Sequence, residues 1–591
     1  MILQALTDYY RALAESGQID PPGWGQAKVS FALYLRTDGA LERVMPLQTE
    51  QQRGKKTVLA PQLMRLPAPV KRTVGIAANF LFDHSGYLLG VDNKGKPQRT
   101  AQCFAACKAL HEQLLTGIDA PAAKAVLAFF RTWQPDQAAT HPALAEHWDA
   151  IIAGGNLIFR CADGYAHDDP AIRAAWDRHY SSAPTEDGAQ TICLVTGEPC
   201  AAEAVHPAIR GVPGAQSSGA ALVSFNAPAF CSYGKEQSYN APTSKYAAFA
   251  YTTALNHLLA DRAHTFAAGD ATVVFWAHSG EAGYQDFFSS MLNDVYEERD
   301  LGQMVQELLR GHPVVFDQTM LDPAMDFYIL GLSPNAARLS VRSFLRNSFG
   351  SFLEHIQAHR ERLRIVRPAY ERFEVPSLKA ILDATVDLNS RDKQASPQLA
   401  GELLRAILND TPYPATLLNG VVLRIRAEQR DKNDPKKPFK VTWPRAAILK
   451  AYFLKNHEHS PHYQTLLEVA QMDLNDTCTY LPYLLGRLFS TMEKIQLASA
   501  DWKLSQTIKD SYFNSAAVTP KIIFHKLFPL NEYHMKKLMR DKPGLAVTLG
   551  REKAAIIGKI TRPIPSRFNA EEANCFYLGY YHQDMLKKED K

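Results

Sequence analysis

The sequence predicts an α+β protein, with a mixed α/β N-terminal region followed by a mainly helical C-terminal region that ends in a helical bundle. Three observations predict it. At 591 residues the chain is too long for a single hydrophobic core. A composition that is 46% hydrophobic and 21% charged is that of a packed protein rather than a disordered one. Strand-like runs bounded by turn residues occur through the first 300 or so residues, and helical spacing dominates beyond them.

Leu3, Leu6, Tyr10 and Leu13 follow helical spacing, and Asp20-Pro-Pro-Gly23 stops that helix with residues unable to continue it. Val29–Leu35, with a turn at Asp38-Gly39, and Tyr87–Val91, before Asp92-Asn-Lys-Gly95, read as strands. Helical spacing returns from Thr100 to about Trp148. Thr191–Val195 and Ala271–Ala277 read as strands with a helix from Tyr246 to Leu259 between them. Beyond about Leu301 only Val421–Ile425 reads as a strand, and Arg338–Arg367 reads as one long Arg-rich helix. Breaks at Arg367-Pro368 and in the polar segment His457–His462 divide the chain into 1–367, 368–471 and 472–591. No fixed-period repeat and no low-complexity tract is visible, which argues against solenoids and linker-dominated architectures.

A net charge of +4 does not by itself point to nucleic acid, so the distribution of charge has to carry that reading. Arg338 to Arg367 holds seven Arg against two acids, and Arg424 to Lys450 holds nine basic residues against three. Eight scattered cysteines lack the spacing of a disulfide framework and fit reduced thiols in a cytoplasmic protein. The segment Met1–Tyr10 lacks a basic n-region, and no window approaches a membrane span.

Gly214 and Gly219 have the glycine spacing of a phosphate-binding loop, but Ala220 and Ala221 stand where a nucleotide site needs Lys and a hydroxyl. The same tract is rich in neutral hydrogen-bonding groups, Gln216, Ser217, Ser218, Asn226, Gln237 and Asn240, interleaved with Phe225, Phe230, Tyr233 and Tyr239. Amides read base edges and aromatics stack on bases. Arg210, Lys235 and Lys245 supply charge for phosphates. The bland alternative is a turn-rich loop with aromatics packed beneath it.

Other constellations are weaker. His355 and His359 share a helical face, but Ile356 replaces the general-base Glu of a zinc protease. Arg338, Arg342 and Arg346 recur every fourth position and form a stripe suited to a phosphate backbone if the segment is helical. His167-Asp168 resembles half of a metal-dependent phosphohydrolase site. His457, His459 and His462 lie in a Pro-containing polar loop, and Cys193 and Cys200 lack close zinc-knuckle pairing. Ser217 and Ser218, with His206 as a base, fall outside any nucleophile-elbow motif. No catalytic residue, metal site or cofactor is expected.

Several segments together resemble the large, Cas-eight-type (Csd-family) subunit of type I-C CRISPR Cascade. They are Ile2–Leu6, Asn79-Phe-Leu-Phe-Asp-His-Ser-Gly-Tyr-Leu-Leu-Gly90, His206–Pro242, Ala247–Asn256, Thr272–Trp276 and Gly331–Arg342. The resemblance implies a non-catalytic subunit in which guide CRISPR RNA reads the target while this chain recognises the protospacer-adjacent motif in double-stranded DNA. It also implies help in duplex opening and R-loop formation, backbone, RNA-processing and small subunits as partners, and docking of a helicase-nuclease, with no membrane. On it, Asn79, Gln216, Ser217, Ser218 and Asn226 are candidates for motif contacts, and Tyr233, Lys235, Tyr239 and Asn240 for stacking or phosphate contacts. Lys71 and Arg72 are candidates for gripping the duplex backbone, and Arg338 and Arg342 for tracking the displaced strand or the guide. The family resemblance further implies a small subunit made from an internal start, for which Met472 would open a 120-residue piece with 18 basic and 13 acidic residues. The competing readings are a metal-dependent nuclease using His167 and Asp168, and a purely architectural scaffold.

Overall fold

The computed structural model describes residues 1–53, 56–70, 75–182, 191–293, 298–387, 395–431 and 438–586. Among the described residues helix accounts for 51% and strand for 16%, with the strands all ending before residue 349, so the fold is α+β as the sequence predicts. Two compact units form. The first is Met1–Pro207 with Val223–Ala254, and the second is Ala208–Leu222 with Leu255–Lys591.

The first unit opens with helix Ile2–Glu15, which buries Leu6, Tyr9, Tyr10 and Leu13 along one face. The Tyr10 hydroxyl donates to the Asp20 carbonyl at 2.8 Å and fastens the Pro-Pro stop. Strands follow: β1 (Trp24–Val29), β2 (Phe31–Leu35), β3 (Leu41–Pro46), β4 (Gln48–Arg53), β5 (Lys56–Pro67), β6 (Phe82–His84), β7 (Asn156–Cys161) and β8 (Gly164–Tyr165). They form an antiparallel sheet β1-β5-β4 and a mixed sheet β3-β2-β7-β6, in which β2 and β7 run parallel. Helices Pro97–Leu115 and Pro121–Thr132 contribute Cys107, Phe129 and Phe130 to the core beside Phe80 and Phe159. Tyr87–Val91 is not the expected strand, because His84 caps a one-turn helix at Ser85–Leu88 by accepting from the Gly86 N–H at 3.2 Å. Tyr87, Leu88 and Leu89 are all buried, and a short apolar run buried on every side has no period that separates helix from strand. Thr191–Val195 likewise shortens to β9 (Thr191–Ile192), paired with β10 (Pro199–Cys200) across a turn closed by the Gly197 N–H on the Cys193 carbonyl.

The second unit holds β11 (Thr265–Ala268), β12 (Ala271–Ala277), β13 (Val314–Phe316), β14 (Thr319–Leu321), β15 (Asp326–Asn335) and β16 (Arg338–Ser348). Its main sheet is antiparallel, in the order β11-β12-β15-β16. The expected long Arg-rich helix is therefore corrected: its first eleven residues are β16, and helix Phe349–Leu363 starts only where the Ser348 Oγ accepts the Ser351 N–H at 3.2 Å. The reason is tertiary. β15 is buried along seven successive residues from Phe327, and its free edge needs a hydrogen-bonding partner. Val421–Ile425 is corrected in the opposite sense. It lies inside helix Ala415–Ala427, which buries Leu417, Val421 and Ile425 at four-residue spacing.

One apolar core runs through the second unit from Ala268 to Tyr581, including Phe275, Phe352, Leu403, Trp443, Phe489 and Phe576. The chain closes with helices Leu481–Ser499, Ile508–Val518, Pro520–Asp541, Pro543–Gly558 and Ala570–Met585. The first and last of these cross at Gly486 and Gly579, where any Cβ would run into the facing backbone at Phe576 and Tyr483. Met472 is half-exposed, and its carbonyl accepts the Val366 N–H at 2.8 Å. All eight cysteines are free. Among the described residues no helix is long and apolar enough to cross a membrane.

Candidate nucleic-acid interface

In the second unit, Ala208–Leu222 is a loop held at both ends and open at its tip. Asn256, on helix Lys245–Ala260, accepts the Arg210 N–H on Oδ1 at 2.8 Å and donates from Nδ2 to the Ala208 carbonyl at 3.1 Å. Ile209 and Ala220 exchange backbone hydrogen bonds at 2.8 Å, closing the loop. Gly219 permits this with φ +105° and because a Cβ would lie 2.7 Å from that of Ala208. Beyond the closure, Ala221 pairs with the start of β16, donating to the Ala337 carbonyl at 3.0 Å and accepting the Leu339 N–H at 2.9 Å. The tip exposes Gln216, Ser217 and Ser218 in a turn closed by the Gly219 N–H on the Gln216 carbonyl. Gly214 and Gly219 thus lead into a β-bridge rather than a helix, so the phosphate-loop spacing lacks the helix N-terminus that such a site requires.

In the first unit, the following stretch builds a second exposed loop. Asn226 and Lys235 are exposed, and Tyr239 and Asn240 are partly covered. The Asn240 amide is a staple: Oδ1 accepts the Ser232 N–H at 2.8 Å, and Nδ2 donates to the Lys235 and Gln237 carbonyls at 2.9 Å each. Tyr233 stands at the apex, 100% exposed, with φ +55° in the left-handed region. His206 and Tyr251 lie buried in this unit, with 2.7 Å between the His206 Nδ1 and the Tyr251 hydroxyl. Burial pulls the His206 pKa down to about 4, so its ring is neutral at neutral pH.

Asn79 is placed differently from the other candidates. It is buried, its Oδ1 accepts the Val70 N–H at 2.8 Å, and its own N–H donates to the Asp83 carboxylate at 3.0 Å. Two residues on, Leu81 has φ +66° and donates its N–H to the His111 Nε2 at 2.9 Å. The Asn79–His84 segment is a hydrogen-bonded fold around the buried His111, and Asn79 holds the Val70 backbone. Lys71 and Arg72 lie outside the described residues.

The three arginines of the expected stripe separate along β16. Gly331 pairs with Ser343 and Leu332 with Val341, so Arg342 is the extra residue of a β-bulge and the alternation of faces breaks there. Arg342 donates to the Ser333 Oγ at 2.9 Å and to Asp270 at 3.1 Å. Arg346 instead pairs with Asp326 at 2.8 Å and lies over the Tyr328 ring. Arg338 sits beside the Gln216–Ser218 loop through its bridge with Ala221.

Residues of the other constellations make contacts within the fold. His355 meets the Leu408 carbonyl at 2.6 Å and His359 the Tyr413 hydroxyl at 2.6 Å. His457 pairs with Glu571 at 3.2 Å. Cys193 accepts the Ser244 N–H on its sulfur at 3.3 Å. His167 is buried 3.5 Å from an exposed Asp168. Among the described residues no three His, Cys, Asp or Glu side chains gather as a metal site would require. Sequence reasoning missed Asn256 and the stapling role of Asn240. For Asn256 the signal was present: it is the one side-chain amide in the mostly apolar helical run Tyr246–Leu259.

Compared with known families, residues 6–586 match a family model described as CRISPR-associated protein (Cas_Csd1). The chain belongs to this family. The match extends across both units and includes both exposed loops. A comparison with curated proteins returns no match.

Proposed function

We propose that this CRISPR-associated chain is the large subunit of a type I-C Cascade, cytoplasmic and non-catalytic. It recognises the protospacer-adjacent motif in double-stranded DNA, aids duplex opening and R-loop formation, and docks the helicase-nuclease. The observation that carries the reading is Tyr233. A large aromatic side chain with no packing role stands outward on a left-handed backbone, in a loop that the Asn240 amide ties at Ser232, Lys235 and Gln237 by accepting one hydrogen bond and donating two. Backbone strain maintained by surrounding structure concentrates at functional sites, and an exposed ring is suited to stacking on a base or wedging into an opened step.

The division of labour is physical. Guide RNA reads the target by pairing, so the protein needs only to read a short motif and shape. The amide of Gln216 and the hydroxyls of Ser217 and Ser218 offer donors and acceptors on an exposed tip, and Asn226 offers the same chemistry on the stretch that follows in sequence. Lys235, Arg338 and the backbone around them supply phosphate contacts that orient the duplex without specifying its sequence. Backbone, RNA-processing and small subunits, with the guide CRISPR RNA, complete the particle. What supports the non-catalytic reading is that His206, His355 and His359 are engaged with fixed partners in the fold.

Substitutions in the assembled complex test this. Gln216→Ala or Asn226→Ala should weaken target binding in a motif-dependent way, whereas Arg338→Ala should weaken it evenly across sequences and lower its salt dependence. Equal loss on all sequences for every variant would contradict motif reading by these loops.

A further inference from the structure

A cavity of about 540 Å³ lies in the second unit between the β11–β12 hairpin, β16 and helix Pro397–Leu408. Its walls include Asp270, Arg342, Ser343, Ser396 and Arg405. That size suits a nucleotide-sized group. Three local features build it. Gly269, at the hairpin turn with φ +67°, abuts the Pro397 backbone so closely that a Cβ would collide with it, which fixes the start of the helix against the turn. The β16 bulge supplies Arg342, whose Nε and Nη2 are fixed by Ser333 and Asp270 while Nη1 has no partner among the described residues. Gly401 lines the cavity with nothing within 4 Å of where its Cβ would stand, so the helix face there is bare.

One turn beyond Gly401, Arg405 reaches the same cavity, and its guanidinium has no partner among the described residues. The lining thus includes two arginines and one carboxylate, Asp270, which only Arg342 engages among the described residues. The surplus is cationic, and the neutral lining supplies the Ser343 and Ser396 hydroxyls. A guanidinium fork matches phosphate oxygens in geometry and in charge.

We propose that this cavity binds a phosphate group of a nucleotide, either free or within a nucleic-acid strand, with Arg342 and Arg405 gripping its oxygens. The inference rests on the proposed nucleic-acid function only in expecting the phosphate to arrive on a strand. Gly401→Met tests it without threatening the fold, since the new side chain enters open space and methionine favours helix over glycine. The experiment is fluorescence anisotropy of the purified full-length chain with short labelled single-stranded RNA and DNA, with AMP and inorganic phosphate as competitors. Thermal midpoints are recorded alongside.

The expected result is that Gly401→Met and Arg405→Ala each lose about tenfold in strand affinity, on every sequence, with midpoints equal to or above the parent's. Competition by AMP or phosphate then assigns the site to a free phosphate group, and loss in the variants without competition assigns it to the strand backbone. Either result supports the cavity as a phosphate site. Binding by both variants within about twofold of the parent, or a parent that binds neither strand, AMP nor phosphate, overturns it. If it falls while Gln216→Ala still acts in a motif-dependent way, the motif-reading function stands without it.

Discussion

At Tyr233 the chain holds a left-handed φ of +55° in a residue whose side chain buries nothing. A non-glycine residue there costs about 1 kcal/mol or more. Tyr233→Gly should therefore leave the thermal midpoint unchanged or raise it, while target affinity of the assembled complex falls by roughly tenfold, the loss of one aromatic–base stack. Retained affinity in that variant would remove Tyr233 from the interface. His111 makes a prediction of a different kind. It is buried between the Cys107 carbonyl, 2.7 Å from Nδ1, and the Leu81 N–H on Nε2. Burial holds its pKa down at about 4. Because the folded state disfavours the proton, the stabilisation is complete above the unfolded value near 6.5 and is lost as pH falls towards 4, by at most about 3 kcal/mol. His111→Leu should be less stable at neutral pH, with a smaller drop in thermal midpoint between pH 6.5 and 4.5 than the parent. An identical drop would show that His111 does not carry the effect. These residues also show what the sequence could reveal. It located the polar and aromatic tract, but Asn79, Asn240 and Gln216 are equivalent side-chain amides to a reader of sequence. Only the fold shows that Asn79 is committed to Val70 and Asn240 to its own loop, leaving Gln216 exposed.

Among the elements, strands with a strong local pattern were legible. Ala271–Ala277 is β12 residue for residue, and Tyr246–Leu259 lies within helix Lys245–Ala260. Arg338–Ser348 was not, because arginines four apart fit a helix face and also alternate positions of a strand. The deciding partner, β15, lies across a turn that local spacing does not pair. The bulge at Arg342 was equally hidden, since it is a property of register. In the C-terminal bundle, close approach of two helices rests on Gly486 and Gly579. Gly486→Ala improves intrinsic helix propensity yet forces a methyl group into the Phe576 backbone. Overpacking of this kind costs about 1–3 kcal/mol, so the thermal midpoint should fall. A rise, following propensity alone, would mean that the crossing adjusts freely.

For the whole molecule, the α+β character and the shift from sheets to helices were readable from composition and period, because they reflect which faces the chain can bury. The division into two units was not. The chain leaves the first unit for Ala208–Leu222 and returns for Val223–Ala254, so no composition shift marks the boundary. That excursion places Gln216, Ser217 and Ser218 in one unit and Tyr233, Lys235 and Asn240 in the other. On the proposed function, this CRISPR-associated chain reads a short DNA motif beside the guide-paired target. The most direct measurement is reconstitution of the chain with guide RNA and its sister subunits, followed by binding to duplexes that differ only in the flanking trinucleotide. Strong discrimination among flanks is expected, reduced by Gln216→Ala and Tyr233→Gly. Equal binding to every flank would contradict it.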